Sequence, residues 1–64
     1  MYRETLYGDT ICRLLDNTFI PFDPANMDFV AFKQAINDDT AQLETADGVL
    51  MTAEEAKTFV ATLP

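Results

Sequence analysis

Sixty-four residues with 48 % apolar side chains, five Phe among them, suffice for one compact domain (1–64) and leave no room for a second. Eleven Asp and Glu against four Lys and Arg give a formal charge of −7, a sign that argues against the phosphate neutralisation on which direct nucleic-acid binding rests, and against anionic membranes. A single Cys and no His exclude an intrachain disulfide and the usual Cys/His zinc sites, which leaves good packing or self-association to stabilise so small a chain.

The first 22 residues read as β structure. Glu4-Thr5-Leu6-Tyr7 and Thr10-Ile11-Cys12-Arg13-Leu14 flank Gly8-Asp9, which has the composition of a two-residue hairpin turn. Asp16-Asn17 signals a second turn into Thr18-Phe19-Ile20, and Pro21 ends that strand because it has no N–H for a ladder. A three-stranded antiparallel meander follows. Asp23 and Pro24 then suit the cap and first position of a helix running to about Asn37, with Phe29, Phe32 and Ile36 on one stripe and Val30 alongside. Asp38-Asp39 stand at the negative end of that helix, where acids help to stop it.

Ala41 to Thr45 alternates apolar and polar, and Val49-Leu50-Met51 is a short apolar run. Ala46-Asp47-Gly48 between them predicts a second, short hairpin. Thr52 and Glu55 have the spacing of a capping box, with Ala56, Phe59, Val60 and Leu63 on one helical face beyond it. The predicted fold class is α+β: a small antiparallel sheet covered by two helices, in the order βββ-α-ββ-α.

The residue inventory argues against an enzyme. Without His the commonest general base is missing, and Cys12 has only Arg13 beside it, which in a strand points to the opposite face. Asp23 and Asp28 are accounted for by the helix start. Asp38, Asp39 and Glu44 lack the ligand order of an EF-hand. The two glycines are turn residues, so no phosphate loop is present. No catalytic residue, metal or cofactor is expected, and a protein partner is. Nothing after Met1-Tyr2-Arg3-Glu4 reads as an export signal, and no run approaches the roughly 20 apolar residues of a membrane span.

Two surfaces are candidates for contact. Eight of the eleven acids follow Phe22, and Asp38, Asp39, Glu44, Asp47, Glu54 and Glu55 are the candidate acidic patch. The five Phe read chiefly as core, but a sheet covered on one side keeps a second face. Tyr2, Tyr7 and Phe19 are the aromatic candidates for it, with the first strand as a possible open edge.

The segment Phe19-Ile20-Pro21-Phe22-Asp23-Pro24-Ala25-Asn26-Met27-Asp28-Phe29-Val30-Ala31-Phe32 resembles one in small tail-associated proteins of bacteriophages, where Ile-Pro-x-Asp-Pro-x-Asn-x-Asp-Tyr precedes an amphipathic helix, with Phe29 and Phe32 at aromatic positions. Ile20, Pro21, Asp23, Pro24, Asn26 and Asp28 fit that pattern. Lys33, Ala35 and Asp39 depart from its Leu, Trp and Gly. The resemblance implies a tail or tail-fibre accessory that binds other virion proteins, located in the host cytoplasm or the virion. The charge supports an alternative of a different class, an anti-CRISPR-like inhibitor whose acids imitate nucleic acid in a basic groove of a host defence complex.

Overall fold

The computed structural model describes all residues from Met1 to Pro64. Strands β1 (Tyr2–Glu4), β2 (Thr10–Arg13) and β3 (Thr18–Pro21) are followed by helix α1 (Met27–Asn37), strand β4 (Leu43–Glu44) and helix α2 (Ala53–Ala61). The strands form one sheet in the order β3-β2-β1-β4, with β1–β2 and β2–β3 antiparallel and β1–β4 parallel. The class is therefore α+β, but the sheet is mixed rather than antiparallel. Direction explains the difference. Strand β3 runs parallel to β1, α1 carries the chain back, and the next strand must run with β3 and hence with β1. It joins beside β1, which becomes an interior strand and offers no open edge.

The first hairpin is shifted by two residues from the predicted pairing. Glu4 lies opposite Ile11 and Tyr2 opposite Arg13, so Thr5–Asp9 is the connection. A two-residue slip keeps every side chain on its face. It exchanges Leu6, which is left in solvent, for Tyr2, whose ring meets Phe32 edge-on at 4.8 Å and whose N–H bonds the Gln42 carbonyl. Thr5 closes the connection by a hydroxyl–hydroxyl bond to Thr10.

Helix α1 starts later than its sequence implies. Asn26, not Asp23, is the cap: its side-chain oxygen accepts from the amides of Asp28 and Phe29. Asp23 instead holds the preceding turn, accepting from the Ala25 amide. At the far end the Thr40 N–H reaches the Ala35 carbonyl and the Asp39 N–H reaches Ile36, a Schellman pair with Asp39 left-handed at φ 60°. That backbone turn, rather than acid repulsion alone, stops the helix. The capping box of α2 is present as read, Thr52 accepting from the Glu55 amide while the Glu55 carboxylate accepts from Thr52.

The second hairpin is reduced. Its first arm is the two-residue β4, and its return arm makes one bridge, Glu44 to Leu50, around a turn with Gly48 at φ 86°. Both helices cover the same face of the sheet. Ile11, Ile20, Leu43 and Tyr2 from the sheet meet Phe29, Phe32 and Ile36 from α1 and Ala56 and Val60 from α2. Phe22 seals the margin, tilted on Phe29 at 5.6 Å and edge-on to Phe59 at 6.4 Å. Val30 is largely outside this core at 42 % exposure.

Candidate binding face

Because side chains alternate across a strand, the residues between those of the core point away from the helices. The pairing aligns them into one row, Phe19–Cys12–Arg3–Glu44, and the bridge adds Leu50 at its end. No secondary-structure element covers this row. Its two ends are apolar and exposed, while Cys12 and Glu44 in the middle are buried.

Arg3, its neighbour on the parallel strand, forms an ion pair and a hydrogen bond with Glu44. The guanidinium lies over the carboxylate and remains partly exposed. Leu6, Tyr7, Leu14 and Phe19 line an open depression of about 480 Å³ together with Cys12 and Arg3. Leu6 and Tyr7 come from the first hairpin connection, which the two-residue slip releases from the sheet.

The aromatic candidates separate on this geometry. Tyr7 and Phe19 are 77 % and 61 % exposed and border the depression. Tyr2 is not a surface residue: the alternation that sends Arg3 outward sends Tyr2 into the core. Leu6, Arg3 and Leu14 were not singled out by the sequence, and Cys12 was weighed only as a nucleophile, not as part of a contact surface. Fixing Tyr2 as inward would have identified Arg3 and Cys12, since the face of one strand residue sets that of the next.

The acidic candidates do not form one free patch. Glu44 is withdrawn under Arg3, and Asp39 pairs with Lys57 of α2 at 3.0 Å. Glu55 is held by its cap, where the Thr52 backbone N–H lowers the carboxyl pKa below its ordinary value. Asp38 terminates α1, Asp47 occupies the turn before Leu50, and Glu54 is exposed in the first turn of α2. On the opposite side of the sheet Arg13 bridges Asp16 and Asp28, tying the second turn to α1. That bond, together with the Thr18 amide, holds the Asp16 carboxyl at about 2.

Every cationic side chain is thereby engaged. Arg3, Arg13 and Lys57 have acid partners, and Lys33 donates to the Pro64 carbonyl while lying 5.3 Å from the centre of the Phe29 ring. Four of the eleven acids are ion-paired, which leaves Glu4, Asp9, Asp23, Asp38, Asp47, Glu54 and Glu55 uncompensated. Glu4 stands where the two faces of the sheet meet, bordering both the open depression and a second one with Phe22 and Phe59. Phe59 in turn borders a third with Glu54 and Glu55. Glu4, Glu54 and Glu55 are thus the uncompensated acids that flank Phe59.

No three His, Cys, Asp or Glu side chains converge in a way that could hold a metal ion, and no helix is long and apolar enough to cross a membrane. Comparison with protein-family models, with curated proteins and with solved structures finds no match to this chain.

Proposed function

We propose that this is a non-catalytic protein that works by docking another protein on the open face of its sheet, as a tail or tail-fibre accessory of a bacteriophage, in the host cytoplasm or the virion. The observation that carries the docking role is the exposure of Tyr7 and Phe19 beside Leu6 at the margin of a depression that no helix covers. Exposed aromatic groups beside a concave surface are what interface cores are made of.

The tail role rests on the segment Ile20–Asp28 and its resemblance to phage proteins. The dispersal of the acids supports it over the alternative: Glu44 and Asp39 are each ion-paired within the domain, so they do not contribute free charge to a continuous strip imitating a phosphate backbone. The uncompensated charge around Glu4, Glu54 and Glu55 is the observation that favours the inhibitor reading.

Affinity capture with the tagged protein from phage-infected cells tests both. Enrichment of virion proteins is the expected result. Enrichment of host nuclease subunits, with no virion protein, would overturn the tail role in favour of the inhibitor.

A further inference from the structure

Three occupants are conceivable for the open face: a strand added to the sheet, a second copy of this chain, or a segment of another protein held by its side chains. The free edge of the sheet disfavours the first. The Phe22 N–H donates to the Asp9 carbonyl, and Thr10 lies opposite Pro21, so inward bonding falls on Phe22, Ile20 and Thr18. Phe19 and Pro21 then direct their backbones outward, and Pro21 has no N–H. One donor, that of Phe19, is left along β3, which is too little for strand addition.

Area and charge disfavour the second copy. Strands lie about 4.8 Å apart and rise about 3.3 Å per residue, so a four-stranded face of this length measures roughly 14 by 13 Å, about 200 Å². A stable interface takes about 800 Å² from each partner. Two copies would also bring together two chains of charge −7.

The same quantities fit a short segment. The face carries no free cation, because Arg3 is neutralised by Glu44, while Glu4 borders the depression and Asp47 follows Ala46 on its rim. We propose that the depression takes a short segment of a partner protein in which apolar side chains are flanked by lysine or arginine, the apolar group seated among Leu6, Tyr7, Leu14 and Phe19 and the cations beside Glu4 and Asp47. This rests on the docking role proposed above and names the chemistry of its partner.

The test uses isotope-labelled full-length protein and a synthetic peptide with a Leu-Phe-Leu centre flanked by lysine pairs. Amide shifts confined to Leu6, Tyr7, Cys12, Leu14 and Phe19 are expected on titration. Phe19→Asp should weaken binding about tenfold and Glu4→Lys several-fold, with the spectrum of each variant confirming an intact fold. Raising the salt should weaken the wild-type complex. Equal binding of a glutamate-flanked peptide, equal binding of a lysine peptide without the apolar centre, shifts on the helices instead of the sheet, or no binding would each overturn the proposal.

The two proposals fail separately. Virion proteins captured equally by wild type and Phe19→Asp would leave the tail role standing and remove this face from it. Peptide binding at the face without capture of any virion protein would do the reverse.

Discussion

Arg3 and Glu44 lie side by side on the two strands that pair in parallel, and the guanidinium covers a carboxylate that is itself buried. Removing the arginine would strand an acid in a place it could not otherwise occupy. Arg3→Leu should therefore destabilise the domain by about 1–3 kcal/mol, the usual consequence of leaving a buried polar group unpaired. Arg3→Leu combined with Glu44→Leu should recover most of that loss, since apolar replacement of both partners removes the desolvation cost as well. Urea denaturation of the two variants checks this; a double variant no more stable than the single one would show that the pair is not coupled.

Tyr2 and Tyr7 occupy the same hairpin and have opposite roles. Tyr2 packs edge-on against Phe32, and Tyr7 stands in solvent. Tyr2→Ala should cost about 3 kcal/mol, as for other large-to-small changes in a core. A domain of this length has a total stability of only about 3–10 kcal/mol, so that variant would be extensively weakened. Tyr7→Ala and Phe19→Ala should stay within about 0.5 kcal/mol of wild type. Thermal melting separates the groups.

How far these assignments were legible in the sequence depends on the range of the interaction that decides them. The stripe Phe29, Phe32, Ile36 and the Thr52–Glu55 box depend on spacing within a turn or two, and the structure has both. The register of β1 against β2 is decided by a ring 30 residues away, because burying Tyr2 on Phe32 selects it over Leu6. Local turn composition at Gly8-Asp9 does not carry that information. The parallel β1–β4 pair is likewise set by where α1 delivers the chain, which explains why Glu44, read as a surface acid, lies beneath Arg3.

Asn26 and Asp23 offer a local test of the same kind, because both are good capping residues three positions apart. The amides of the first turn of α1 point to Asn26. Asn26→Ala should cost about 1 kcal/mol, and Asp23→Ala, which loses one turn bond, less than half of that. Thr52→Ala should match Asn26→Ala. Equal losses at Asp23 and Asn26 would place the functional start of the helix at Asp23 instead.

Asp39 takes the left-handed backbone position that glycine usually fills after a helix, and its carboxylate compensates by reaching Lys57. Asp39→Gly removes the steric cost but also the ion pair, and it loosens the unfolded chain. These contributions are each on the order of 1 kcal/mol or less, so the variant should fall within about 0.5 kcal/mol of wild type. Asp39→Val, with a branched side chain at positive φ, should lose about 1–2 kcal/mol. Chemical denaturation of the pair checks the sign.

The response to acid follows from Asp16 and Glu55. Arg13 and the Thr18 amide hold Asp16 at about 2, below the ordinary 3.8, and the Thr52 amide lowers Glu55 from 4.5. A carboxylate depressed in the folded state stabilises fully above its unfolded pKa. As the pH falls, the unfolded chain takes up the proton first, so stability declines from about pH 4.5 toward 2 through these two groups. Asp16→Asn and Glu55→Gln should each lower stability at neutral pH, where the charged form makes the bonds. Each should also flatten the loss on acidification, and together they should remove most of the slope that these sites produce. Unfolding midpoints measured between pH 5 and pH 2 decide it. A double variant with the wild-type slope would assign acid sensitivity to other carboxylates, and a slope removed by Asp16→Asn alone would leave the capping box without a part in it.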